Sequence, residues 1–524
     1  MKLGVDFGTS RIVVAAADRG NYPLVSFEAP DGAWPDWFPS LIAIRGDERL
    51  YGWDAYDRQS DETWTVIRSI KRLLEDAGPQ TFLDLGDQKL KLTGLLDGLT
   101  NSLLTTLQQR SNLRIPPGET LEIVLGVPAH ANSNQRFLSV ESFRKAGFQV
   151  LGVLNEPSAA SIEFGHRQRQ SRSSPETILV YDLGGGTFDA SLVTLDENVH
   201  HVVASEGIPT IGGDDFDQIL AELALEVAGI DQRSRENLPA AAWFRLLEEC
   251  RHKKEALNPN SRRITIDLEH AHPGWQPVQI PVAEFYETAR PAVEETIRAA
   301  EDLSPQCDVL YITGGGSELP LIARMLRERF GRRVRRSAYA RSATAIGLAI
   351  QADQPGTYRL GERLSRSFGV WREADCGSTI VFDQLFEKGI SLPSPCEPNL
   401  TICRSYSPVH NIGHFRFLEC THRAPLGAPS GEVSFWDEIR FPFDPALSSA
   451  PDLHTRAIAH SPEASSQLIE ERYECDSGGS LTVTIANRTA AYSRTYCLGR
   501  WSLNSKSVKP VRRGKGKQET NKLF

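Results

Sequence analysis

The chain has 524 residues, of which 40% are apolar, and its 67 acidic and 58 basic residues give a net charge of −9. That length exceeds one ordinary hydrophobic core, so several packing units are expected. The acidic balance argues against a general nucleic-acid or membrane-surface binder. The sequence contains no run of about 18 apolar residues, so we expect no membrane span. Because Asp6 falls where a signal peptide would be apolar, we expect a cytoplasmic protein.

The first predicted element is a strand that ends in an acid and is followed by a turn of small residues. Residues 3–16 read as strand, glycine turn and strand, with Asp6 at the end of the first strand. Residues 177–193 repeat this order around Asp182, which lies 176 positions further along. The repeat predicts two related halves, each of which contributes one hairpin to a shared site.

Strands alternate with helices as far as about residue 350. Apolar periodicity predicts helices at 61–75, 95–110, 133–146, 214–228, 241–257, 283–301 and 319–326. A third glycine turn, residues 313–317, follows an apolar strand. This alternation predicts a layered α/β unit.

The composition of the chain changes near residues 352–367, which are mostly polar. A linker is predicted there because the segment also contains Pro355, Gly356 and Gly361. Beyond it apolar residues recur at every second position, as in Leu481, Val483 and Ile485, which predicts an all-β domain. The predicted domains are 1–352 (α/β), 353–367 (linker), 368–505 (β) and 506–524 (tail).

The predicted tail holds seven Lys or Arg residues and one acid, and we expect a disordered, solvated end rather than a nucleic-acid contact. Of the eight cysteines, six fall in the last third of the chain: Cys376, Cys396, Cys403, Cys420, Cys475 and Cys497. They are expected to be free thiols of a reducing compartment, with a disulfide or metal site as the less favoured alternative.

The glycine turns indicate a phosphate site, because successive backbone N–H groups form a concave array of donors. Asp6 and Asp182 supply hard carboxylates that can hold a hydrated Mg²⁺. Thr9 and Thr187 can reach a terminal phosphate through their hydroxyls. The alternative is that the two Asp side chains only satisfy turn N–H groups and that the two Thr residues are ordinary turn residues. No P-loop motif is present.

Five motifs in order resemble Hsp70-type chaperones of the actin-like ATPase superfamily. They lie at 4–10, 69–73, 127–129 leading to 154–160, 182–189 with 211–217, and 313–317. The resemblance implies a two-lobed actin-like (ribonuclease H-like) α/β ATPase domain followed by an all-β sandwich domain. It also implies ATP or ADP and Mg²⁺ as ligands.

The resemblance assigns site residues individually. Lys71, Glu156, Asp182 and Thr187 would be catalytic, with Lys71 directed at the γ-phosphate, and Asp6 and Asp182 would hold Mg²⁺ through water. The expected nucleotide-binding residues are Gly8, Thr9, Ser10, Gly184, Gly185, Gly186, Gly212, Gly213, Lys254, Gly314 and Gly315. Pro128 and Arg136 match a proline and an arginine that the family uses to relay nucleotide state between domains.

The chain departs from the family at the base end of the site. Arg251 stands where an acid is expected, Glu318 where an arginine is expected, and Arg341 where an aspartate is expected. The Leu-rich linker is absent, and about 20 residues after the β-domain are too few for a helical lid.

The sequence therefore predicts an ATP-hydrolysing, Hsp70-like chaperone that binds unfolded or extended polypeptide through a lidless β-domain. J-domain proteins and nucleotide exchange factors are the expected co-chaperones, and neither nucleic acid nor membrane is an expected partner. The alternative is a nucleotide-dependent switch or scaffold for one specific protein. A sugar or acetate kinase on the same fold is the least favoured interpretation.

Overall fold

The computed structural model describes residues 1–498 except 60, 75–76, 79–80, 86–87, 169–174, 304–306, 355–356, 375–378, 394–396, 425–426 and 477. The predicted tail, Cys376, Cys396, Pro355 and Gly356 lie outside the described residues. The chain forms two compact units. The first contains Met1–His130 and Leu138–Leu360, and the second contains Ala131–Phe137 and the described residues from Gly361 onward.

The first unit mixes strands and helices. Its strands are β1 (Lys2–Phe7), β2 (Arg11–Ala16), β3 (Phe38–Pro39), β4 (Ile42–Arg45), β5 (Glu48–Tyr51), β6 (Thr65–Ile67), β7 (Phe82–Leu85), β8 (Gln88–Lys91), β9 (Glu122–Val127), β10 (Gln149–Asn155), β11 (Glu176–Leu183), β12 (Phe188–Asp196), β13 (Val199–Ile208), β14 (Arg263–Ile266), β15 (Val278–Pro281), β16 (Val309–Thr313), β17 (Val334–Arg336) and β18 (Arg359–Gly361).

The longer helices connect or flank these strands. The helices before residue 360 are α1 (Trp53–Tyr56), α2 (Leu92–Gln109), α3 (Ser133–Ala146), α4 (Glu156–Arg167), α5 (Gly213–Val227), α6 (Gln232–Glu236), α7 (Ala240–Glu255), α8 (Val282–Leu303), α9 (Pro320–Phe330) and α10 (Ala343–Asp353). Six of the seven predicted helices are confirmed in existence and type.

The seventh prediction, a helix at 61–75, is wrong. Thr65, Val66 and Ile67 form β6, which pairs antiparallel with β4. Three consecutive residues whose side chains branch at Cβ favour a strand. Arg72–Leu74 forms only one turn of 3₁₀-helix.

Two sheets of the first unit have matching topology. Their strand orders are β10-β9-β1-β2-β3 and β17-β16-β11-β12-β13-β18. In each, the acid-bearing strand pairs antiparallel with the next strand of its hairpin and parallel with a strand from later in the chain. Asp6 and Asp182 thus occupy corresponding positions, as the predicted repeat requires.

Helix α10 packs closely against strand β1 of the first sheet and against helix α4. A Cβ atom on Gly4 would lie 2.2 Å from the backbone nitrogen of Ala349, and one on Gly347 would lie 1.8 Å from the carbonyl oxygen of Ala159. Only glycine permits β1, α4 and α10 to approach so closely.

Among the described residues after Gly361, the second unit consists of antiparallel strands and one short α-helix. Its elements are β19 (Ser367–Ala374), β20 (Thr379–Phe386), β21 (Leu400–Tyr406), β22 (Ile412–Arg423), β23 (Pro429–Pro442), α11 (Pro462–Ser465), β24 (Ile469–Cys475), β25 (Leu481–Asn487) and β26 (Tyr492–Cys497). Two four-stranded sheets, β20-β19-β22-β23 and β21-β24-β25-β26, share one buried core. Val370, Phe417, Tyr473 and Val483 lie in it.

Three further observations bear on the sequence predictions. Residues 359–361 of the predicted linker form an edge strand, β18. The six cysteines that belong to the described residues are free thiols, and Cys250, Cys307, Cys420 and Cys475 are buried. In the described part of the chain, no helix has the length and apolarity needed to cross a membrane.

Candidate functional site

The candidate site is a cleft in the α/β unit, where the turns after β1 and β11 face each other. Its space, including the part that is open to solvent, is about 1120 Å³. The predicted residues that line it are Asp6, Gly8, Thr9, Ser10, Lys71, Glu156, Asp182, Gly184, Gly185, Thr187, Gly213, Lys254, Gly314 and Gly315. Gly186 and Gly212 do not line the cleft; a Cβ atom on Gly186 would lie 2.6 Å from Thr9 Cγ2, and one on Gly212 would lie 2.6 Å from the carbonyl oxygen of Gly185.

Lys71 reaches the cleft because the chain reverses sharply after β6. Ser69 adopts a left-handed conformation with φ of 62°, and its hydroxyl donates to Asp214 Oδ2 at 2.5 Å. The left-handed conformation costs free energy in a residue that has a Cβ atom, and this hydrogen bond helps to stabilise it. Lys71 is consequently 3% exposed rather than on a solvated helix face.

Lys71 and Glu156 form a buried ion pair at the floor of the cleft. The Lys71 Nζ atom lies 2.5 Å from Glu156 Oε1. Glu156 is the first residue of α4, and Pro157 behind it favours a helix start at this point. Burial tends to lower the pKa of Lys71, but Glu156 and Asp6 raise it overall, so the ammonium stays charged.

The acids around this pair outnumber its cation. Burial, with a further contribution from Glu156, raises the pKa of Asp6 to about 7. Burial, then Glu156 and Asp6, raises the pKa of Asp182 well above its usual value. Burial likewise raises the pKa of Glu156 against the opposing effect of Lys71. A buried excess of carboxylate is an environment that a hydrated divalent cation stabilises.

The glycine turns approach neighbouring groups so closely that no side chain fits between them. A Cβ atom on Gly185 would lie 2.7 Å from Ser10 Oγ, so a side chain there would collide with the opposite hairpin. Gly314 has φ of 84°, and a Cβ atom there would lie 2.4 Å from Asp182 Oδ1. These close approaches fit the predicted phosphate cradle.

One side of the cleft is held by an ion-pair network that the sequence did not reveal. The Lys254 Nζ atom lies 2.7 Å from Asp217 Oδ1 and also donates to the Gly213 carbonyl oxygen. Arg68 pairs with Asp214 and Asp217 at 3.1 and 3.0 Å. Arg68 is separated from these acids by more than 140 residues, so no local pattern signals the contact.

Two of the three departures from the family pattern, Arg341 and Glu318, pair with each other. Arg341 contacts Glu318 and also lies 3.2 Å from Glu255. Arg11 donates to both carboxylate oxygens of Glu255 at 2.9 Å. Burial tends to raise the pKa of Glu255, but Arg11 and Arg341 lower it to about 2. Arg251 pairs with Glu248.

Pro128 and Arg136 do not line the cleft. Pro128 follows β9 directly, and the Arg136 Nε atom in the first turn of α3 donates to the Ala131 carbonyl oxygen at 3.3 Å. The missed residue in this region is Asp189, which accepts the Ala129 N–H at 2.9 Å and so fixes the loop after Pro128. The role of Pro128 and Arg136 in coupling the domains stays a prediction.

Comparison with known proteins gives concordant matches. Residues 99–356 match the family model described as Hsp70 protein. Chaperone protein HscA of Escherichia coli O6:H1 (strain CFT073) is 32% identical over 373 residues, which cover 67% of this chain and 57% of that protein. HscA of Escherichia coli O9:H4 (strain HS) and of strain K12/DH10B matches to the same extent. The chain thus covers 57% of the length of these relatives.

The chain thus has an α/β unit whose two largest sheets match in topology and whose cleft is lined by glycines and buried acids, followed by an antiparallel β unit. The chain belongs to the Hsp70 family.

Proposed function

We propose that the chain is an Hsp70-like ATPase and chaperone that binds Mg²⁺ and ATP in the cleft of the α/β unit. The observation that carries this proposal is the buried cluster of Lys71, Glu156, Asp6 and Asp182 beneath glycine turns from two matching hairpins. Membership of the Hsp70 family supports an actin-like fold for this unit and ATP hydrolysis as its reaction.

The residues of the cleft have different roles in the proposed hydrolysis of ATP. The backbone N–H groups of turns 8–10 and 184–187 bind phosphate oxygens, and Lys71 stabilises the charge that develops on the transferred group. Glu156 and Asp182 orient the attacking water and accept its proton. Asp6 and Asp182 would hold a hydrated Mg²⁺, which supplies positive charge to the phosphates when bound.

The β unit is proposed to be the polypeptide-binding domain, with residues 353–367 as the linker. Two antiparallel sheets around one core support a β-sandwich, a fold that can bind an extended segment by main-chain hydrogen bonds. Unfolded polypeptides, J-domain proteins and nucleotide exchange factors are the proposed partners. The free cysteines support a reducing, cytoplasmic location.

The assigned role of Lys71 is tested by ATP turnover of the wild type and Lys71→Ala. Loss of a cation that stabilises transition-state charge is expected to lower turnover by about a hundredfold or more. The matched control is Lys253→Ala, since Lys253 is 45% exposed on α7 and pairs with Glu249 on the same helix. Equal turnover by wild type and Lys71→Ala would remove this role.

A second candidate function, a nucleotide-dependent switch for one protein partner, is favoured by the departures at the base end and the unusual linker. A panel of unrelated unfolded peptides discriminates the two. ATP-sensitive binding of many peptides supports the chaperone, whereas binding of none of them, by a chain that still binds ATP, supports the switch.

A further inference from the structure

A second cavity lies among residues 29–59 of the α/β unit. Its space, including the part that is open to solvent, is about 1060 Å³, and four aromatic side chains contribute to its wall: Trp34, Trp37, Trp53 and Tyr56. Trp37 and Trp53 pack with ring centroids 4.9 Å apart, and Tyr56 lies 5.3 Å from Trp53. Trp34 is 51% exposed. We call this cavity the aromatic pocket.

Two residues in the wall of the aromatic pocket each carry a buried polar atom that lacks a partner among the described residues. Trp53 is 3% exposed, and its indole Nε1–H has no hydrogen-bond partner among the described residues. The amide oxygen Oε1 of Gln59, another residue of the wall, is also buried without a partner in that part of the chain. Buried polar groups are rarely left unpaired, so a ligand that offers both an acceptor and a donor fits this site.

Acidic side chains stand at the rim of the aromatic pocket. Asp31 and Asp57 belong to its wall and are exposed. Asp31 accepts the Ala33 N–H, and the nearest cation to Asp57 is Arg58, at 3.9 Å. Aromatic faces and carboxylates together favour a cationic group, because the faces of aromatic rings carry negative potential.

We propose that the aromatic pocket binds an arginine side chain of an extended polypeptide segment. A guanidinium group stacks on Trp34, donates to Gln59 Oε1 and is compensated by Asp31 and Asp57. The backbone carbonyl of the same segment accepts the Trp53 indole N–H. Arginine supplies a planar cation whose N–H donors have a fixed geometry, whereas the lysine ammonium is compact and cannot stack on a ring face.

Trp37 connects the aromatic pocket with the nucleotide cleft, since it lines both cavities. On the cleft side, the Arg11 Cζ atom lies 4.8 Å from the centroid of the Trp37 ring, and Arg11 also pairs with Glu255. An arginine bound in the pocket therefore changes the surface against which Arg11 packs. This coupling, unlike the pocket itself, rests on the proposed function of the cleft.

The first test measures binding of acetyl-Gly-Ser-Arg-Ser-Gly-amide to the full chain by calorimetry and tryptophan fluorescence. The control peptide carries citrulline, which keeps the shape of arginine and removes its charge. We expect saturable binding of the arginine peptide and affinity lower by about tenfold or more for citrulline, with lysine in between. Equal affinities for arginine and citrulline would overturn the proposal.

The second test uses a matched pair of exposed aromatic residues. Trp34→Ala is expected to weaken arginine-peptide binding by about tenfold, while Phe82→Ala, whose side chain is 52% exposed outside the pocket, leaves it unchanged. Binding through the β unit would be indifferent to both substitutions, so an unchanged affinity in Trp34→Ala also refutes the site.

The coupling is tested by measuring the peptide affinity with and without saturating Mg²⁺ and ATP, and the ATP affinity with and without peptide. Linkage requires both affinities to change by the same factor, and we expect a factor of about five or more. A factor of one overturns the coupling. Absence of ATP binding refutes the proposed function, whereas absence of peptide binding by a chain that binds ATP refutes only this inference.

Discussion

At the scale of single residues, the site combines a repeated pattern with contacts between distant parts of the chain. Asp6 and Asp182 could be predicted from the sequence, because each ends an apolar strand before a glycine turn. Lys71 could be assigned only through the family resemblance, since its burial depends on the reversal at Ser69. Arg11 and Glu255 are 244 residues apart, and no local signal predicts that they pair.

The Arg11–Glu255 pair predicts a pH dependence of stability. A carboxyl group whose pKa is lower in the folded than in the unfolded state contributes stability above its ordinary pKa, and this is lost as the pH falls through the folded value. For Glu255 the window extends from the ordinary 4.5 down to about 2.

Glu255→Gln is therefore expected to lower the free energy of unfolding by about 1–3 kcal/mol at pH 7. The difference from wild type shrinks as the pH is lowered below 4.5. Urea denaturation at a series of pH values measures it. A difference that is constant from pH 7 to the lowest pH at which the protein folds would contradict the assigned cause.

At the scale of elements, the strongest constraint is the contact of α10 with β1 and α4. Hydrophobic periodicity predicted most of the helices but not which of them approach each other without a side chain between them. That information lies in Gly4 and Gly347, whose missing Cβ atoms the sequence alone does not explain. The incorrect prediction of a helix at 61–75 relied on apolar periodicity and gave too little weight to the strand preference of residues 65–67.

Gly4→Ala is expected to destabilise the α/β unit by about 2–4 kcal/mol, because the new methyl group collides with the backbone of α10. Gly94→Ala is the matched control: it lies in α2 with nothing within 4 Å of the new Cβ atom. There the higher helix propensity of alanine should stabilise by about 0.5–1 kcal/mol. Equal effects of both substitutions in denaturant unfolding would refute the packing argument.

At the scale of the whole molecule, the order of an α/β unit and an antiparallel β unit followed from the change in periodicity near residue 352. The partners of the β unit could not be predicted in this way, because the alternation of apolar and polar residues does not show which face of a sheet binds a partner. The predicted domain division and the relay through Pro128 and Arg136 stay predictions.

Nucleotide state is expected to alter protease cleavage within residues 353–367 if the two domains communicate as in the family. Limited proteolysis with ATP and with ADP, followed by mass determination of the fragments, measures this. Identical cleavage rates in both nucleotides and in their absence would show that the linker does not report the state of the cleft.

The central claim is that the cleft between the two hairpins binds Mg²⁺ and ATP, and calorimetric titration of the full chain with ATP tests it most directly. We expect saturable binding of one ATP per chain that weakens when Mg²⁺ is chelated, and that persists in Lys71→Ala. No detectable heat of binding at millimolar ATP, measured with a chain that unfolds cooperatively, would contradict the account.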